Sequence, residues 1–251
     1  CEDYLEEDFR SSLSPATFYN SDSEAIIAVN GAYAMFYPRE WFGHRDRVAW
    51  WNMAADEHSS TRNIYREPHN IAWGEGVYDG EGYWKQLYEA VRKTCDAISN
   101  IEGNENLSET VRDQTLGQLL VIRAMAYYEL TRIWGDVPYF RELLAPAELA
   151  ELTRTPINTI RTDMKADLER AYSLLPSTYS GSENQGRFTK WAAMSLKAKY
   201  HLFDNEWAET LAACLDVINN SPHTLMANFE DVYNWRGTTP ASPAKAEHIL
   251  W

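Results

Sequence analysis

The sequence predicts an all-α protein of stacked antiparallel helix pairs, interrupted by one long irregular segment rich in tryptophan. Three observations carry this. Apolar residues recur every three or four positions in successive stretches. Short polar turns join those stretches, as "DNE" does between Phe203 and Trp207. No stretch alternates with period two for long enough to be a strand. A single helix pair cannot bury its apolar face alone, so pairs must stack.

The first helix is expected over Ser21 to Tyr37, "SDSEAIIAVNGAYAMFY", where Ala25, Ile26, Val29, Tyr33 and Phe36 share one face after a Ser/Asp start. Residues 38–82 then follow no period. They hold Trp41, Trp50, Trp51 and Trp73 beside glycines at 74, 76, 80 and 82. So long an irregular stretch inside a compact domain is functional or disordered, and this one is too aromatic for disorder.

Trp84, Leu87, Tyr88, Val91, Cys95 and Ile98 give the next helix, which stops at "EGNEN". The longest helical pattern runs from Ser108 to Trp134, with Thr110 and Asp113 as a candidate capping box. Gly135 and Pro138 end it. Thr155 and Pro156 read as an N-cap and a first-turn proline, after which Ile157, Ile160, Met164, Leu168, Ala171 and Leu175 carry a helix to Pro176. Phe188–Phe203 and Glu206–Ile218 make a closing pair. Its order of small residues, aromatics, turn and proline resembles a tetratricopeptide unit with looser spacing. Trp84, Trp134, Trp191 and Trp207 fall on helical stripes and are expected in the core.

The chain has 251 residues, room for one large domain or two small ones, and a formal charge of -14. That field repels polyanions, so nucleic acid is excluded as a partner. No run approaches the ~20 apolar residues of a spanning helix. Three cysteines lacking CxxC or Cys/His spacing indicate neither a disulfide framework nor a metal site. Cys1 at the start fits either a trimming boundary or the residue left by lipoprotein processing.

Catalytic motifs are weak. Asp56, Glu57 and His58 adjoin one another, as do His44 and Asp46 nearby, but neighbouring side chains rarely converge on one point, so both groups read as solvated polar turns. HExxH, GxSxG and P-loop patterns are missing, and "GEGVYDGEG" lacks the strand or acid order that a phosphate or calcium loop needs. No cofactor is expected.

Binding is better supported. Sugars stack their CH faces on aromatic rings and exchange hydrogen bonds with planar polar groups. Trp41, Trp50, Trp51, Trp73 and Tyr78, interleaved with Asp56, Arg62 and Asn70, supply both. These eight residues are the expected ligand contacts, on compositional grounds.

Several motifs in order resemble the SusD/RagB family of outer-membrane nutrient-binding lipoproteins. "LLVIRAMAYYELTRIWGDVPYF" is similar to its signature helix and turn. "TRTPINTIRTDMKADLERAYSLLP" and "GRFTKWAAMSLKAKYHLFDNEWAETLAACLDVINNS" resemble the helices that follow. "CEDYLEED", "NGAY" and the closing "EHIL" are similar to further landmarks. Cys95 stands where relatives often carry Asn.

The resemblance implies one N-terminal, tetratricopeptide-containing domain over 1–251, roughly half the family length. It implies a tether over 1–20 with a diacylated Cys1, where each buried CH₂ adds about 0.8 kcal/mol of membrane attachment. It also implies surface exposure, capture of an oligosaccharide without catalysis, and hand-over to a SusC-like TonB-dependent transporter that meets the helices from Ser108 onward. The ligand site would be shared between loops of this region and the other half. Three other readings stay open: a peptide-capturing relative, a helical scaffold, and a glycoside hydrolase with two carboxylates about 5 to 9.5 Å apart.

Overall fold

The computed structural model describes residues 18–36 and 81–225. Among these lie seven α-helices: α1 (Asp22–Tyr33), α2 (Glu81–Ile101), α3 (Glu109–Trp134), α4 (Pro146–Ala150), α5 (Ile157–Leu174), α6 (Lys190–Phe203) and α7 (Trp207–Asn220). A 3₁₀ turn, Ala34–Phe36, tightens the end of α1. The helices pack in series: α1 and α2 on α3, α3 on α5, α5 on α6, and α6 on α7. This is the expected stack of helix pairs. One difference is a two-residue antiparallel ladder, β1 (Val137–Pro138) with β2 (Arg154–Thr155), too short to show as alternation.

α3 sits at the centre, which explains why it is apolar on most faces. Leu116 to Ala124 are all buried, because α1 and α2 cover one side of the helix and α5 the other. Gly117 lets α5 come close: a Cβ built there would stand 2.7 Å from Leu175 Cγ. Tyr127 and Tyr200 are fully buried, and each satisfies its hydroxyl on backbone. Tyr200 donates to the Ala124 carbonyl at 2.7 Å, and Tyr127 donates to the Phe140 carbonyl at 2.9 Å while accepting from the Phe140 N–H at 3.0 Å. Burial raises both phenols well above their ordinary value.

Helix ends differ from expectation at two points. Ser108, not Thr110, caps α3: its Oγ accepts from the Val111 N–H at 3.4 Å, leaving Thr110 inside the first turn. Ser108 in turn donates its N–H and hydroxyl to Asp22, at 2.8 and 2.7 Å, which ties the starts of α1 and α3 together. α5 begins one residue later than read, with Pro156 at its N-cap and Thr155 paired to Val137 in the ladder. The orphan N–H of Ile157 goes to Asp136 Oδ1 at 2.8 Å, so the cap is supplied from the turn that ends α3. That turn itself depends on Gly135, at φ +71°.

α6 and α7 enclose a second, smaller core of Trp191, Met194, Ala198, Ala213 and Val217. Trp191 is buried as expected, and Trp84 and Trp134 are half-buried against the main core. Trp207 is a correction. It is 62% exposed at the first turn of α7. α7 carries apolar residues over a wider arc than α6 covers, with Glu209, Asp216 and Asn220 on the remaining side.

Candidate functional site

The eight expected ligand contacts, Trp41, Trp50, Trp51, Asp56, Arg62, Asn70, Trp73 and Tyr78, lie outside the described residues, as do Cys1 and the Asp56–Glu57–His58 group. Glu81 and Gly82, placed by sequence in the irregular segment, form the first turn of α2. What the structure describes is the pair of ends that flank positions 37–80, Phe36 and Glu81.

The stretch that ends at Phe36 and the helix that begins at Glu81 are held together. Gln86, buried on the first turns of α2, donates its Nε2 to the Met35 carbonyl at 3.0 Å. Lys93 Nζ lies 3.1 Å from Met35 Sδ on the same side. The Phe36 end is flanked by an aromatic group. Tyr33 and Phe188 have ring centroids 5.1 Å apart, and Phe36 meets Phe188 edge-on at 5.8 Å. Tyr33 accepts the Phe188 N–H at 2.8 Å, which joins the end of α1 to the approach to α6. Burial pushes the Tyr33 phenol well above its ordinary range.

The Glu81 end is flanked by a second aromatic group built from the signature. Trp84 meets Trp134 edge-on at 5.1 Å and Tyr88 at 4.8 Å, and Tyr88 stacks on Phe140 at 6.1 Å. The Tyr88 hydroxyl donates to the Pro138 carbonyl at 2.6 Å. Trp84 and Trp134 are half-buried against the main core. Sequence reading assigned these two tryptophans to the core alone. Their place at the first turn of α2 and the last of α3, near helix ends, is the signal for a boundary position.

Several ionisable groups of the described residues hold the helices together. Arg123 directs Nε and Nη2 at Asp167 Oδ2, and Arg141 Nη2 reaches Asp167 Oδ1 at 2.6 Å. Cys95, in the position where Asn was expected, points its thiol at the Phe140 carbonyl at 4.0 Å; burial raises the thiol and Arg123 nearby opposes that shift. Tyr139 donates to Asp163 at 2.8 Å. Among the described residues no group of three or more His, Cys, Asp or Glu is placed to hold a metal ion, and no described helix is long and apolar enough to cross a membrane.

The fold and the signature turn therefore define a tetratricopeptide-like helical scaffold. Residues 3–202 match the SusD-like family described as "Starch-binding associating with outer membrane", and the chain belongs to that family. A SusD-like protein of Formosa agariphila is 32% identical over 93% of this chain and 46% of its own length. A SusD-like protein of Bacteroides ovatus is 26% identical over 88% and 42%. The chain thus spans about half the length of the curated relatives it matches.

Two solved structures share the fold. A laminarin-binding SusD-like protein superposes with a TM-score of 0.78 at 20% identity, covering 86% of this chain and 49% of that one. A SusD homologue from Bacteroides thetaiotaomicron gives 0.78 at 18%, covering 92% and 46%.

Proposed function

We propose that this chain is the helical, N-terminal part of a cell-surface glycan-capturing protein that passes an oligosaccharide to a SusC-like TonB-dependent transporter. The observation that carries the reading is the family match over residues 3–202, whose description joins starch binding to association with the outer membrane. The laminarin-binding relative in fold agrees with a glucan-type ligand.

In this reading Trp41, Trp50, Trp51, Trp73 and Tyr78 stack on sugar faces, while Asp56, Arg62 and Asn70 bond the hydroxyls. The hydrogen bond from Gln86 to Met35 and the two aromatic groups give these residues a fixed base. A lipid on Cys1 holds the protein to the outer membrane, and the helices from Ser108 onward meet the transporter. The chemistry is capture without bond cleavage.

Calorimetric titration of the purified chain, and of a chain of family length, against laminarin oligosaccharides, starch oligosaccharides and random peptides tests this. Saturable glycan binding, weakened roughly tenfold by Trp50→Ala or Trp73→Ala, supports it. Heat only with peptides establishes the peptide-capturing reading instead. Release of new reducing ends from the glycans overturns capture without cleavage.

A further inference from the structure

One arginine among the packed helices differs from the rest. Arg112, Arg123, Arg132 and Arg161 are each buried or half-buried, and each lies 2.6 to 3.7 Å from a carboxylate oxygen. Arg187 is half-buried too, on the approach to α6, yet its side-chain bonds among the described residues all go to neutral amides. Nε donates to Asn184 Oδ1 at 2.9 Å, Nη1 to Gln118 Oε1 at 3.2 Å, and Nη2 to Asn30 Oδ1 at 3.1 Å. A guanidinium has five N–H hydrogens, so one on each Nη is left uncommitted.

The backbone holds this guanidinium in place. The 3₁₀ turn Ser182–Asn184 brings Asn184 onto Arg187, whose N–H donates to the Asn184 carbonyl at 3.3 Å, and the next N–H, of Phe188, is taken by Tyr33. Arg187 lines a cavity of about 50 Å³ with apolar Ile26 and Val111 and polar Gln114, Thr115, Gln118 and Asn184. By this measure one water needs about 10–15 Å³, so the space exceeds a single water. Gln118 is 2% exposed, and its Nε2 gives one hydrogen to the Gln114 carbonyl at 2.8 Å and keeps the other. None of these lining residues is acidic, in a chain with 37 acidic residues against 23 basic ones. Glu183, beside Asn184, is exposed and meets the Asn184 amide rather than Arg187.

Amide oxygens solvate a cation much as water does but leave its charge whole, and a charge withdrawn from water is costly unless it is paired. We propose that this cavity is a binding site for one small monovalent anion of the size of chloride, paired with Arg187 and bonded by the uncommitted hydrogens of Arg187 and Gln118. The formal charge of -14 opposes anion entry, but at physiological salt such a field is screened within about 8 Å, so the local groups decide. The anion joins α1 through Asn30, α3 through Gln118 and the approach to α6 through Arg187, all by way of one guanidinium. The site does not depend on which ligand the protein captures.

The test uses the 251-residue chain and chloride itself. Chlorine NMR is expected to show line broadening that saturates at one site per chain. The melting temperature is expected to rise by about 2–4 °C as sodium chloride replaces sodium gluconate at constant ionic strength and pH. Arg187→Gln is expected to abolish both responses, and Arg187→Lys, which keeps the charge, to restore part of them. Bromide-soaked crystals of the unaltered chain give a reading that needs no variant: an anomalous peak at hydrogen-bond distance from the Arg187 Nη atoms. Equal melting temperatures in the two salts, broadening that rises without saturation, or a cavity that holds water alone in bromide each overturn the proposal. A bromide peak with no chloride response in solution is an adventitious ion only, and overturns it as well.

Discussion

Arg123 on α3 and Asp167 on α5 form a buried ion pair, with Nε and Nη2 at 3.0 and 2.7 Å from one carboxylate oxygen and each side chain 3% exposed. The remaining groups are also used: Arg123 Nη1 donates to the Arg141 carbonyl at 3.0 Å, and Arg141 takes the second oxygen of Asp167. Burial opposes the Arg123 charge, and Asp167 more than offsets this, leaving the guanidinium above its ordinary value. The arginine of the "RAMAYY" signature is thus a clamp between two layers of the stack.

Removing one member of the pair strands a buried charge. Arg123→Met is expected to lower the unfolding free energy by about 3–5 kcal/mol. The double variant Arg123→Met/Asp167→Leu is expected to cost less than the sum of the two single changes. Urea denaturation of the four proteins measures both the loss and the coupling.

Asp136 caps α5 from outside the helix, so its effect on stability should follow capping chemistry. Asp136→Ala is expected to cost about 1 kcal/mol, and Asp136→Asn, which keeps an acceptor oxygen, far less. Thermal unfolding of the two variants side by side separates a cap from a general charge effect.

Gly117 marks the closest approach of α3 to the Leu175 side chain. Gly117→Ala is expected to destabilise by about 1–3 kcal/mol through overpacking, even though alanine is the better helix former. Adding Leu175→Ala to it should recover part of the loss, which a double-mutant cycle reads directly.

The turn between α6 and α7 carries an acid-sensitive element. Hydrogen bonding from Lys165 and then from His201 holds the Glu206 carboxyl below its ordinary value of 4.5. A carboxyl depressed in the folded state stabilises fully above its unfolded value and loses that contribution as pH falls through the folded one. Melting temperature is therefore expected to drop as pH is lowered below 4.5, and Glu206→Gln to flatten that limb while leaving neutral pH less affected. Partial exposure of Glu206 and screening by salt keep the effect modest, so low ionic strength is the condition to use.

The helices were legible because their apolar residues repeat at three and four. α3 in particular announced its length and its glycine stop. The ends were harder. The cap of α5 comes from Asp136, on the far side of α4, and a local pattern such as Thr155–Pro156 cannot register a partner 21 residues away. Arg123 and Asp167 are 44 residues apart and are joined only by packing. Trp207 was misread because periodicity says which residues share a face and is silent on whether a neighbour covers it. The aromatic residues expected on compositional grounds to meet the ligand lie outside the described residues, while Glu81 and Gly82, read from sequence as irregular, proved to open a helix.

The hydrogen bond from Gln86 to Met35 has an entropic consequence. It joins the described residues on the two sides of positions 37–80, so the entropic cost of closing that interval grows only slowly with its length. Doubling such an insert adds only about 0.6 kcal/mol. By this term alone, a change in the length of that interval is cheap for the stack.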